Sequence, residues 1–332
     1  MKNLKVIAIF IFLCIPIMAC GQNSSSNNNN QLVENMIVHF SEQQANSLFS
    51  QLQQFDNQPH YEITINTRNS YDVLVNDLLI AHDFGRIMQQ RSFFINWRIL
   101  RSGKQRLQIR LYPQFVNGEQ LETLTNDDFL EITVSRFYWS NTGIENEQTV
   151  FRYELNRYDI NGYKIDFSEK TEWIIDLEFY AQVPFELTGW TNGIVFNKKD
   201  SVRLRQKLSD IYRQEIDDII NHRFDLIRSR SVMQSFEVGQ SVYDTKASLL
   251  KALQEGDDEF RAVEFNFLPL ENYDIFFYGD GRVITLRRID DEFRGSSPMI
   301  RRFVNEQGVA RRRITSMFFY QPKGSDKLVR IR

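Results

Sequence analysis

The feature that most constrains the fold is a persistent alternation. Over residues 61–195 apolar and polar side chains change places step by step. Tyr61, Ile63 and Ile65 alternate with Glu62, Thr64 and Asn66. Leu107, Ile109 and Leu111 alternate with Arg106, Gln108 and Arg110. Leu130, Ile132 and Val134 alternate with Glu131, Thr133 and Ser135, and Phe151, Tyr153 and Leu155 with Arg152 and Glu154. Trp173, Ile175, Leu177 and Phe179 keep the period less cleanly. Side chains of a strand point to opposite faces in turn, so this pattern predicts half-buried strands. Sheets with one wet face are typically antiparallel. Val75-Asn76-Asp77, Ser102-Gly103-Lys104 and Asn161-Gly162 supply turns between them. Strands in succession with no helix between them predict an antiparallel β-sandwich. The 27 Phe and 13% aromatic content fit such packing.

At Asn197 the period changes. Leu204, Leu208, Tyr212, Ile216, Ile220, Phe224 and Ile227 recur three or four apart. That is one face of a long amphipathic helix, with Asp200 or Ser201 as N-cap. Its other face is dense with Arg, Lys, Asp and Glu and is expected to be solvated. A second helix is expected over 245–254, ended by Gly256. Strands then return. Gly279-Asp280-Gly281 closes one hairpin, residues 305–308 close a second, and Lys-Leu-Val-Arg-Ile-Arg ends the sequence. The fold class is therefore mainly β plus α+β. A jelly-roll or Ig-like sandwich over 32–196 precedes a smaller helix-then-sheet domain over 197–332.

The first residues carry an address. Met1-Lys2-Asn3-Leu4-Lys5 is positively charged, and residues 6–18 are apolar apart from Cys14 and Pro16. A spanning helix needs roughly 20 apolar residues, so this run reads as a secretory leader. It breaks at Ile17-Met18-Ala19-Cys20, which resembles the lipobox of bacterial lipoproteins. Met18 is an uncommon choice at its position in that family. The resemblance implies removal of residues 1–19 and acylation of Cys20, a lipid bilayer as the first partner, and an envelope location. Gly21, where Asp would direct inner-membrane retention, implies the outer membrane. Two or more acyl chains hold a protein on a bilayer stably where one does not. Residues 20–31, rich in Ser and Asn, are expected to form a disordered tether. Cys14 leaves with the leader, so no disulfide can form.

Tyr-Asp-Val-Leu-Val-Asn-Asp-Leu-Leu-Ile, followed by Ile95-Asn96-Trp97 and the strand around Gln105, resembles a pairing common in jelly-roll modules. Asp77 replaces the family's usual Gly and Gln105 its usual Asn. The front half is also similar to uncharacterised lipoproteins of Bacteroidetes-type bacteria, a resemblance that implies no function.

Chemistry is sparse. His39, His60, His82 and His222 show no paired spacing, so neither metal nor cofactor is expected. Ser248-Leu249-Leu250-Lys251 matches the Ser-x-x-Lys of penicillin-binding enzymes, but no Lys-Thr-Gly follows, and the two Leu read as helix core. The acid pairs Asp127-Asp128 and Asp217-Asp218, like the acidic runs 257–259 and 290–292, read as exposed turns unless the fold gathers them across a cleft. The net charge of −3 gives no footing for nucleic acid.

Two surfaces remain. If alternation holds, Phe137 and Trp139 face outward beside Glu131 and Ser135, an aromatic pair on which a sugar ring can stack. Against this stands a bulge at Arg136 that turns them inward. Trp190, among turn glycines, could line a loop site or the domain seam. The second hairpin holds Arg301, Arg302, Arg311, Arg312 and Arg313. Such a patch attracts phosphates or carboxylates, or serves as a charged edge against aggregation. These features point to an anchored, non-catalytic binding protein whose ligand is a glycan or an envelope protein. Two other readings stay open: a hydrolase whose site is assembled only in the fold, and an immunity-type partner that neutralises a delivered toxin.

Overall fold

The computed structural model describes residues 42–85, 90–262, 264–305 and 307–332. The leader, Cys20, the tether and His39 lie outside them. So do Glu306 and the side chains of residues 257–259. The chain divides into two compact units. One comprises residues 55–188 and 293–295; the other comprises 42–54, 189–292 and 296–332. The divisions thus fall at 54/55 and 188/189, where the sequence reading placed 31/32 and 196/197.

The first unit is the sandwich, antiparallel throughout. One sheet has the order β4-β1-β7-β8, from strands β1 (His60–Thr67), β4 (Gln90–Phe94), β7 (Leu130–Ser140) and β8 (Gly143–Glu154). The other joins β3 (Leu78–Asp83), β2 (Asn69–Val75) and β5 (Gly103–Val116), with β6 (Glu119–Gln120) and β9 (Trp173–Ala181) both pairing β5. The alternation sorts as expected: Tyr61, Ile63, Ile65, Ile132, Val134, Val73, Ile109 and Leu111 are all buried. Each such side chain contributes about 1.5–3 kcal/mol by leaving water. Tyr61 links the sheets: its hydroxyl accepts from Gln182 N (2.7 Å) and donates to Gln182 O (3.2 Å).

Asn76 and Asp77 both have positive φ, 52° and 57°. That geometry makes the two-residue turn between β2 and β3 and accommodates Asp77 without a glycine. Asn76 Nδ2 donates to Gln105 Oε1 (2.8 Å) and to Arg98 O (2.8 Å). Asn76 of the hairpin and Gln105 of the later strand therefore touch.

The second unit packs helices on small antiparallel sheets. Helix α2 (Ser201–Ile220) buries Leu204, Leu208, Tyr212 and Ile219 against Ile284, Leu286, Met317 and Phe319. The long helix is shorter than its periodicity implied. It stops at Ile220, His222 takes φ +54°, and α3 (Phe224–Ser229) resumes the same apolar stripe with Phe224 and Ile227. Ile220, expected on the core face, is exposed at the last turn. The charged face is not wholly solvated either, because Glu215 and Asp218 are buried. Arg223 Nε reaches Asp218 Oδ1 at 2.7 Å, and Arg230 Nη2 reaches Asp218 Oδ2 at 2.5 Å.

Two helices escaped the sequence reading. Helix α4 (Val232–Ser241) and helix α1 (Glu42–Phe49) meet in a second core of Ala45, Phe49, Val232 and Leu249. Helix α5 (Lys246–Ala262) runs past Gly256, where a stop was expected. One helical Gly costs only about 1 kcal/mol relative to Ala. The remaining strands form two sheets. β11 (Tyr273–Tyr278), β12 (Val283–Arg288), β15 (Phe319–Tyr320) and β16 (Val329–Arg330) make one; β10 (Phe265–Phe267), β13 (Ile300–Val304) and β14 (Ala310–Ile314) make the other. Both hairpins turn where expected.

Candidate binding surfaces

The register of β1 against β7 sets His60 opposite Phe137 and Glu62 opposite Ser135. On its other side β1 sets Glu62 opposite Phe94 and Thr64 opposite Ser92. Residues directly opposite share a face. One outward face of the sandwich therefore gathers His60, Phe94, Phe137 and Trp139 at one end of the sheet. The polar residues Glu62, Thr64, Ser92 and Asn66 continue it.

The four rings pack on one another. His60 stacks on Phe137 with centroids 5.7 Å apart, and Phe94 lies 5.9 Å from Phe137. Trp139 meets Phe137 edge-on, at 5.4 Å and 89°. Phe137 is consequently sealed, at 1% exposure, while Trp139 stays 51% exposed. The expected exposed pair is thus one open ring on a buried support. The physical reason is cross-strand: β1 sets His60 directly opposite Phe137, and β4, the next strand beyond β1, brings Phe94 against it. β7 keeps an unbroken register with β1, and its irregularities lie on the β8 side, at 134/135 and 136/138. Ile144 lies opposite Trp139 and is also open.

Burial pulls the His60 pKa down to about 4, so the ring is neutral near pH 7. Burial raises the Glu62 carboxyl; a hydrogen bond from Ser92 opposes that and Glu147 adds to it. Thr64 Oγ1 and Ser92 Oγ share a hydrogen bond at 2.7 Å, and Asn66 Nδ2 donates to Glu131 Oε2 at 2.9 Å. An aromatic plane followed by a row of amide, hydroxyl and carboxylate groups can stack an apolar ring face and then hydrogen-bond its rim.

Trp190 does not line an open site. It is 4% exposed, its indole fills the space beside Gly279, and Arg332 lies over its ring at 5.9 Å. The five arginines of the second hairpin separate. Arg301 is buried, with its guanidinium 5.3 Å from the Phe265 ring centre and 5.0 Å from that of Phe303. Arg302, Arg311 and Arg312 are exposed and Arg313 is half-buried.

Several of the residues weighed for catalysis make local contacts. Ser248 and Thr245 cap α5 reciprocally: Thr245 N donates to Ser248 Oγ (2.9 Å) and Ser248 N to Thr245 Oγ1 (3.1 Å). Lys251 pairs with Glu255 at 3.2 Å. Asp128 accepts from Thr125 N at 2.8 Å. His222 is exposed at the helix break, beside Phe224. No group of metal-binding residues occurs among the described side chains, and no described helix is long and apolar enough to cross a membrane. Comparison with protein-family models, curated proteins and solved structures gives no match.

Proposed function

We propose that this chain is a lipid-anchored protein of the bacterial cell envelope that binds a glycan, without catalysis, on the outer face of the β4-β1-β7-β8 sheet. The observation that carries the reading is Trp139, half open to solvent and held edge-on by the buried Phe137. A ring fixed before binding loses little rotamer entropy when a ligand arrives. The CH face of a pyranose is apolar and its rim is hydroxylated. It matches an aromatic plane beside Glu62, Thr64, Ser92 and Asn66. The surface is an open sheet face, which fits an extended polymer better than a small enclosed ligand. The anchor rests on the Ile17-Met18-Ala19-Cys20 sequence, and Gly21 favours the outer membrane.

Affinity electrophoresis through gels containing soluble envelope and neutral polysaccharides tests the binding reading. The wild-type chain is retarded by at least one polymer, Trp139→Ala migrates freely, and Trp190→Phe behaves as wild type. Equal retardation of all three chains overturns it. Mass spectrometry of protein extracted from membranes tests the anchor. An intact leader or an unmodified Cys20 overturns that part alone.

A further inference from the structure

We propose that the loop following β8 is a membrane-contacting finger, whose apolar tip enters the interfacial layer of a phospholipid bilayer. Residues 158–164 form a small hairpin in which Tyr158 bridges Lys164. Asp159-Ile160-Asn161-Gly162 makes its turn, with Gly162 N donating to Asp159 O at 3.0 Å. Asp, Asn and Gly are ordinary turn residues; the Ile between them is not. Ile160 is the most exposed large apolar side chain among the described residues, and Tyr163 and Tyr158 beside it are 72% and 56% exposed.

The finger is ordered before any contact is made. Asp159 Oδ1 accepts from Asn161 N and from Tyr163 N, both at 2.9 Å, and Asp159 N donates to Tyr163 O at 2.9 Å. The backbone N–H groups of residues 159, 161, 162 and 163 are therefore all satisfied within the loop. That suits a layer poor in water, where an unmatched backbone group is costly. At the base, Ile165 N donates to Arg157 O at 2.9 Å, and Arg157 Nη2 donates to Asp128 O at 2.5 Å. Beyond it, the buried Phe167 packs against Trp173 and roots the loop in the sandwich. A tip held in this way loses little entropy when it docks.

The disposition of the side chains favours a bilayer over a protein partner. Tyr158 shares a face with Lys164, its partner in the bridge. Tyr163 precedes Lys164 and so points to the other face. The two tyrosines thus flank the Ile160 apex on opposite sides. A protein seated on one face meets one of them, whereas a tip entering end-on uses all three side chains. Their accessible area is below about 600 Å² in all, short of the roughly 800 Å² that each partner buries in a specific protein interface. Tyr suits the boundary between headgroups and acyl chains, because its ring is apolar and its hydroxyl stays wet. Lys164 is exposed and can reach back toward the headgroups. The finger also leaves the aromatic face free. β8 begins with Ile144 opposite Trp139 and ends with Glu154 opposite Glu131. Its 12 residues separate the two ends by roughly 30 Å or more, so both surfaces can be engaged together.

Vesicle fluorescence tests the finger. Cys14 and Cys20 are the only cysteines of the sequence, so an added thiol can be labelled, and the parent chain taken through the same labelling gives the background. A polarity-sensitive fluorophore is placed at Asn161→Cys on the tip, or at Asn141→Cys in the β7–β8 turn; both positions are exposed. Each full chain is mixed with phosphatidylcholine vesicles, with or without lipid carrying a shallow nitroxide quencher. We expect a blue shift and quenching at 161 and neither at 141. Ile160→Ser/Tyr163→Ser, which keeps Asp159 and Gly162, should abolish both signals at 161 with the thermal midpoint unchanged. The signals should persist in about 0.5 M salt, because the contact is apolar and salt screens only charge. Absence of quenching at 161, equal signals at 161 and 141, survival after the double substitution, or loss in salt overturns the proposal. So does a blue shift at 161 that needs added envelope proteins, which would assign a protein partner. Trp139→Ala leaves the quenching unchanged, and Ile160→Ser/Tyr163→Ser leaves retardation by polysaccharide unchanged, so finger and aromatic face stand or fail separately. The vesicle measurement is made in the same way on a chain with unmodified Cys20, so the finger does not depend on the anchor.

Discussion

Arg330 Nη1 lies 3.0 Å from Glu215 Oε1, and neither side chain exceeds 2% exposure. The other oxygen of Glu215 takes Arg230 at 2.6 Å, so one buried carboxylate ties α2 to the segment after α3 and to strand β16. Removing it takes the carboxylate from Arg330, which is buried, while Arg230 keeps Asp218. Glu215→Ala should cost roughly 3–5 kcal/mol, the usual penalty for breaking a buried pair, seen as a lower urea midpoint. Lys104→Ala, at an exposed pair with Glu178, should leave the midpoint unchanged. Equal small effects from both would show that the network contributes little.

Gly279 gives a steric test. Its φ is +60°, and a Cβ there would lie 2.7 Å from Trp190 Cδ1. Gly324 has φ +81° with open space around it. Gly279→Ala combines backbone strain with a clash and should cost about 2–4 kcal/mol, against about 1 for Gly324→Ala. Thermal melts of both variants decide this, and matching losses would remove the indole from the explanation.

Phe137 and Trp139 should part company in stability. Phe137→Ala empties a sealed site and should cost about 3–5 kcal/mol. Trp139→Ala removes a half-exposed ring and should cost about 1 kcal/mol. Denaturant curves measure both. A large loss at Trp139 would mean that the ring serves packing more than recognition.

His60 should make stability depend on pH with a definite sign. Its folded pKa is depressed to about 4, from an unfolded value of about 6.5. Above pH 6.5 both states are neutral and there is no difference. Between pH 6.5 and 4 the unfolded chain takes up a proton that the folded chain refuses, so stability falls as pH falls, by up to about 3 kcal/mol. Below pH 4 this contribution is constant. His60→Phe should flatten that limb relative to wild type, which equilibrium unfolding at pH 7.5, 6, 5 and 4 would reveal. Parallel profiles would assign the limb to carboxylates.

The strands were legible because burial on one face imposes a period of two, visible in Tyr61, Ile63 and Ile65 without any partner strand. Hairpins were legible where Gly279-Asp280-Gly281 demands positive φ. The burial of Phe137 was not legible, since it depends on His60 and Phe94 arriving from two other strands. Helix α2 read too long because Phe224 and Ile227 keep the helical spacing across a break. That break is made by the left-handed turn at His222, which leaves no mark on periodicity. Glu215 and Asp218 read as a solvated face, and only the positions of Arg230 and Arg330 explain their burial. Helix α4 carries few large apolar residues, so its pattern was weak. In the hairpin, counting arginines found the charge but could not sort Arg301 into an aromatic sandwich and Arg302 onto the surface.

Helix α1 belongs to the unit whose other residues begin at 189. Gln53 N donates to Gln240 Oε1, and Gln240 Nε2 donates back to Gln53 O, across 187 residues of chain. A ribosome adding about 5–20 residues per second needs roughly 10–40 s to traverse that gap. During that interval the sandwich can finish while Ala45 and Phe49 still await their neighbours. The order of translation therefore leaves the apolar face of α1 without its packing partners over a window set by the position of α1 in the reading order.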